Sequence, residues 1–175
     1  MPRSVRHVRV PTDGYRQALR EQVIYANDMT NGSGASLGTV GVSPAWRLDN
    51  NADEYLYADL KLPIDYVPMT PLLLKIVYAS LGGGGNFLLY VKVLVASVGT
   101  DLTTATSPMF TVAVGSPPYI QNVAPTITLQ AEELDGLIAP IDLQLSIGRE
   151  GAHALDTSTQ NVKIIKLIVE YTAYI

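Results

Sequence analysis

Cysteine is absent from this chain of 175 residues. That excludes disulfides, thiolate zinc sites, iron–sulfur clusters and cysteine nucleophiles together. Histidine occurs only at His7 and His153, neither of which has a second histidine at metal-ligating spacing, so no metal site is expected. Charge is scarce as well: Asp, Glu, Lys and Arg make up 16% of the chain, against about 25% in an ordinary globular domain. No uninterrupted run of about 18 apolar residues occurs, so no membrane-spanning helix is expected. The opening MPRSVRHVRV lacks the apolar core of a secretory signal, and none is expected there.

What is present is apolar residues, at 47%, and tyrosine. Ten tyrosines stand against two phenylalanines and one tryptophan. Tyrosine combines contact area with a polar end, which suits protein interfaces and sugar platforms alike. A single domain of this length buries roughly 70% of the surface its unfolded chain exposes, so it needs no covalent staples. The charges divide unevenly along the chain. Arg3, Arg6, Arg9, Arg16 and Arg20, five of the seven arginines, lie in the first twenty residues, which carry about +4 once Asp13 is counted. The remainder holds 7 basic against 15 acidic groups. This reads as a basic arm over residues 1–30 joined to an acidic body over 31–175.

Through the body, period-2 alternation broken by turn residues marks half-buried strands. In EYLYADLKLP (54–63), Leu56, Ala58, Leu60 and Leu62 point one way and Tyr57, Asp59 and Lys61 the other. LLLKIVYAS (72–80) follows, and GGGGN (82–86) reads as a hairpin tip before FLLYVKVLVAS (87–97), a run apolar on both faces. Further strands are predicted at 108–114, 125–130, 141–147 and 162–175, with another around 36–48. In the last run Ile165, Leu167, Val169 and Tyr171 are placed on one face, opposite Lys166, Glu170 and Thr172. DGYRQALREQVIY (13–25) fits a helical face through Leu19 and Val23, and an extended arm almost as well. About eight strands without a convincing helix predict an all-β fold, an antiparallel eight-stranded single jelly roll (a β-sandwich or barrel) with an N-terminal arm.

The candidate sites are few. REGAHALDTS (149–158) gathers Arg149, His153, Asp156, Thr157 and Ser158, but a catalytic triad needs side chains converging from separate elements. Asp156 and Thr157 are suited to bonding nearby backbone amides, so this loop is read as scaffold. Gly82–Gly85 lack the following helix and lysine of a phosphate loop. Asp49, Asp53 and Glu54 lack the glycine and ligand spacing of a calcium loop and read as a polar turn. Glu132, Glu133 and Asp135 read as solvated acids. Neither a catalytic residue nor a cofactor is expected. The arm is different: Arg3, Arg6 and Arg9, between Pro2 and Pro11, present guanidinium groups to phosphates, anionic lipid heads or an acidic partner.

Two stretches carry a resemblance. PAWRLDNNADEYLYADLKLPIDYVPMTPLLLKIVYAS joins a tryptophan segment, an acidic turn and a strand ending in LP-x-D-Y to a second apolar strand. LQLSIGREGAHALDTSTQNVKIIKLIVEY places an R-x-x-x-x-A-x-D-T loop before a terminal strand. Together they resemble the single jelly-roll (single β-barrel) small major capsid proteins of tailless, internal-membrane icosahedral phages of thermophilic bacteria. The resemblance implies a virion subunit made in the host cytoplasm. It would form a homodimer and pack with a second capsid protein above a lipid membrane, with Arg149, Asp156 and Thr157 forming a barrel loop. The arm would reach a neighbour or anionic lipid; nucleic acid is not the expected partner. The alternative for the same architecture and tyrosine content is a carbohydrate-binding or receptor-binding module of the fibre or decoration type. A cupin-like or hydrolytic enzyme is disfavoured by the two separated histidines.

Overall fold

The computed structural model describes residues 16–80, 84–96, 109–115, 121–130 and 142–175. Among them the chain runs through β1 (Gln17–Tyr25), a 3-10 turn (Ala26–Asp28), β2 (Thr30–Ser33), β3 (Ser36–Val40), β4 (Ser43–Leu48), β5 (Asp53–Lys61) and β6 (Leu72–Ser80). There follow β7 (Asn86–Ala96), β8 (Met109–Gly115), β9 (Asn122–Val123), β10 (Ile127–Leu129), β11 (Asp142–Glu150) and β12 (Val162–Tyr174). All pairings are antiparallel. The larger, seven-stranded sheet has the order β10-β6-β12-β4-β3, with β1 also on β12 and β9 on β6. The smaller sheet has the order β2-β5-β11-β7-β8. The two form a jelly-roll-like β-sandwich, the predicted fold class.

The alternation read in residues 54–62 is the reason. Leu56, Ala58, Leu60 and Leu62 are buried, and lie beside Leu143, Leu145 and Ile147 of β11 and Phe87, Leu89 and Val91 of β7 on the inner face of the smaller sheet. Leu72, Leu74, Ile76, Leu167 and Val169 close that core from the larger sheet. Period-2 sequences bury one face per strand, so two such sheets can only hide their apolar sides against each other.

Four local expectations change. The segment around 36–48 is two strands, because Gly41 takes φ +59° in a two-residue turn that folds β4 back onto β3. Residues 17–25, assigned to the arm and fitted by a helix, form β1 and pair with β12 along their whole length; cross-strand pairing and burial of Ile24 outweigh the local helical pattern. β6 and β7 lie in different sheets and so do not form the hairpin expected around Gly82–Gly85; Gly82 and Gly83 lie outside the described residues. Gly85, at φ +77°, passes so close to the Thr157 backbone that a Cβ would sit 2.6 Å from its carbonyl oxygen. Last, the register of β12 slips between Ile164 and Lys166. One extra residue sends Ile165 away from the core that holds Leu167, Val169 and Tyr171. Ile165 instead joins Ala45, Val77 and Ala79 in a small apolar cluster on the outer face of the larger sheet.

Candidate functional site

The loop that gathers histidine, aspartate and serine is scaffold. Arg149 is fully buried and grips Asp156 with two charge-assisted bonds, Nε to Oδ2 at 2.8 Å and Nη2 to Oδ1 at 2.6 Å. Nη1 donates to the Gln160 carbonyl (2.7 Å) and Nη2 also to that of Ser158 (2.9 Å), and Cζ lies over the Phe87 ring, 4.8 Å from the centroid. Asp156 Oδ2 also accepts the Leu88 N–H at 3.0 Å, and Thr157 Oγ1 the Asn86 N–H at 3.0 Å. The acid and the hydroxyl thus tie the loop to the start of β7. His153 is exposed and accepts the Leu155 N–H through Nδ1 at 3.1 Å. No nucleophile stands beside it in this network.

The acidic turn is structural too. Glu54 is buried and accepts the Asp49 N–H at 2.7 Å, while Asp53 accepts the Ala152 N–H at 3.2 Å. Among the described residues no group of three or more His, Asp or Glu gathers around a common point. Arg3, Arg6, Arg9, His7, Glu132, Glu133 and Asp135 lie outside the described residues.

A different surface draws polar and aromatic groups together: the outer face of the smaller sheet. The register places Tyr57, Ser146 and Lys92 in one row across β5, β11 and β7, and Tyr55, Gly148 and Tyr90 in the next. Asp59 and Gln144 form a third row. Glycines in the neighbouring strands make room for the rings. A Cβ on Gly148 would collide with the Tyr90 ring, and one on Gly32 with the Tyr55 ring. Tyr90 is 4% exposed and forms the floor, with Lys92 Nζ 5.1 Å from its ring centroid. Tyr55 and Tyr57 meet edge-to-face at 5.4 Å, and Tyr57 is 37% exposed. Burial pushes the Tyr90 phenol up to about 12; the Ser146 hydroxyl bonded to it pulls the other way, and Tyr55, Asp53 and Glu150 add to the rise. Hydrogen bonding to Tyr55, then burial, also raises Tyr57. The face presents rings, hydroxyls and an amide together with the charges of Asp59 and Lys92.

The sequence already set Tyr57 and Asp59 opposite the buried leucines. It did not show Tyr90 and Gly148 on the same face, because that juxtaposition depends on β7 and β11 becoming neighbours across more than fifty residues of chain.

These features define a jelly-roll-like β-sandwich with one tyrosine-rich sheet face. No protein-family model matches the sequence, and no curated protein does. Solved structures do share the fold. A family 35 carbohydrate-binding module from Clostridium thermocellum overlays with a TM-score of 0.55 at 15% identity, covering 86% of this chain and 97% of that one. A xylan-binding domain of the CBM 22 type overlays with 0.51 at 14% identity, covering 92% and 97%. The CBM22-1–GH10 modules of xylanase 10B from Clostridium thermocellum, complexed with xylohexaose, give 0.50 at 13% identity, covering 85% and 27%. These likenesses bear on the fold half of the capsid resemblance and leave its shell role without support.

Removing one member of a buried ion pair strands the other charge. Arg149→Met is therefore expected to lower the unfolding free energy by about 3–5 kcal/mol, and the double variant Arg149→Met with Asp156→Leu by less; urea denaturation measures both, and an unchanged midpoint in the single variant contradicts the scaffold role. A second outcome concerns alkali. The folded-state value of Tyr90 lies above the ordinary phenol near 10, so the unfolded chain loses its proton first. The stability from burying neutral Tyr90 is complete below pH 10 and is lost as pH rises toward about 12. Thermal melts against pH should show that decline, and Tyr90→Phe should reduce it; an identical decline in the variant refutes the assignment.

Proposed function

We propose that this chain is a non-catalytic carbohydrate-binding module that takes a glycan on the tyrosine face of its smaller sheet. The observation that carries the reading is the half-exposed Tyr55–Tyr57 pair flanked by Asp59, Gln144, Ser146 and Lys92 on one flat surface. Sugar rings present C–H faces that pack on aromatic rings, and equatorial hydroxyls that need donors and acceptors at the rim. The rows cross three strands, about 10 Å, which suits an oligosaccharide better than a single unit. The fold is shared with modules whose names state carbohydrate or xylan binding, which supports the same choice. Calorimetric titration with neutral β-linked oligosaccharides, xylohexaose among them, tests it. Tyr57→Ala is expected to weaken binding at least about tenfold, or ~1.4 kcal/mol, with the fold intact by circular dichroism. Equal affinity in the variant, or no binding by the native protein across the panel, overturns the reading.

A second reading, the capsid subunit, is favoured by apolar side chains left in solvent at the β3–β4 hairpin and β9: Val42 at 99% exposure, Leu37 at 55% and Val123 at 55%. It has the chain form a homodimer, pack with a second capsid protein in a virion, and place Arg3, Arg6 and Arg9 on lipid or a neighbour. Light scattering over a concentration series separates the two. A dimer that disappears when residues 1–12 are deleted favours the shell; a monomer at every concentration favours the module.

A further inference from the structure

The opposite side of the sandwich holds a concavity. On the outer face of the larger sheet a pocket of about 330 Å³ opens between the end of β1, the 3-10 turn, the β3–β4 turn and the middle of β12. Its volume falls at the lower end of the range for small-ligand sites. Ile165 supplies an apolar floor, and Tyr25, Asn27, Ser43, Gln121 and Lys166 stand around it. The bulge in β12 builds this pocket. Without it the consecutive residues Ile165 and Lys166 would point to opposite faces of the sheet; with it both line the same concavity. The wall is fixed from behind, because the indole of Trp46 donates to the Ala26 carbonyl at 2.8 Å.

The charges of β12 single out one group. Lys163 donates to the Thr39 carbonyl at 2.8 Å, and Glu170 pairs with Lys75 at 2.5 Å. Lys166 has no oxygen partner among the described residues. Its ammonium lies 6.0 Å from the centroid of the Tyr25 ring, a cation–π contact between two residues of the pocket lining. The acid of the 3-10 turn, Asp28, is engaged by the Tyr25 N–H at 3.3 Å.

We infer that this pocket binds one carboxylate-bearing sugar unit, of the uronic acid class. Lys166 takes the carboxylate, the amides of Asn27 and Gln121 take ring hydroxyls, and Ile165 meets the C–H face. The lining holds one cation and no guanidinium fork, and a single ammonium is matched in charge by a single carboxylate. The choice of a sugar as the carrier of that carboxylate rests on the glycan-binding reading. The location does not, since it lies on the other sheet from Tyr57.

The test is an amide chemical-shift titration of the isotope-labelled full chain with methyl β-glucuronide, and with methyl β-glucoside as its neutral counterpart. Glucuronide is expected to shift residues 25–27, 43 and 165–166. Its affinity should fall at least about tenfold in Lys166→Gln, as expected for loss of a charge-assisted contact, and also fall with rising salt. It should be unchanged in Tyr57→Ala. Equal binding of glucoside and glucuronide, full affinity in Lys166→Gln, or shifts confined to the tyrosine face overturns the inference. Neutral oligosaccharide binding that depends on Tyr57, without glucuronide binding, overturns this inference alone. Glucuronide binding through Lys166, without neutral binding, upholds it and removes the tyrosine face.

Discussion

The buried pair of Arg149 and Asp156 is the constraint on which the rest of the sandwich depends. A guanidinium withdrawn from water is tolerable only when it is bonded, and here the carboxylate and two carbonyls bond all three of its nitrogens. Those carbonyls belong to the loop joining β11 in one sheet to β12 in the other. The same carboxylate accepts a backbone N–H of β7. One charged cluster therefore joins β11 and β7 of the smaller sheet to the loop that leads into β12 of the larger one. It also sets the phase of β11: with Arg149 anchored inward, Gly148 must face out, and with it Ser146 and Gln144. The outer face that carries the proposed glycan site is positioned by an ion pair on the inner one.

The two outer faces then differ in how they are made. On the smaller sheet, Tyr90 lies over Gly148 in regular pairing and Tyr55 over Gly32 at a slip of β2 on β5, leaving a mosaic of rings and hydrogen-bonding groups. On the larger sheet, a slip in β12 breaks the alternation, buries Ile165 in a satellite cluster and frees Lys166 beside a concavity. A sheet face suits an extended chain of sugar rings; a pocket with one cation suits a single acidic unit.

Much of this was legible in the sequence because alternation is local. Leu56, Ala58, Leu60 and Leu62 declared a buried face, and Tyr57 with Asp59 the exposed one, without any knowledge of neighbours. The loop at 149–158 was readable as scaffold from the backbone-bonding habits of Asp156 and Thr157. What escaped depends on partners remote in sequence. Residues 17–25 fitted a helix and an extended arm almost equally until β12 supplied a full ladder of hydrogen bonds, and the GGGGN turn looked like a hairpin because nothing local tells a connection between sheets from a turn within one. The bulge at Ile165 leaves no mark in composition at all, so the pocket beside it was invisible.

The central claim is that ligand meets the chain on the outer face of the smaller sheet. The most direct measurement is a crystal structure of the protein soaked with a neutral oligosaccharide it binds. The account expects sugar density packed on Tyr57 and Tyr55, with hydroxyls reaching Asp59, Gln144 or Ser146. Density lying instead on the β3–β4 hairpin, with the tyrosine face covered by a second copy of the chain, would contradict it and return the protein to the assembly reading.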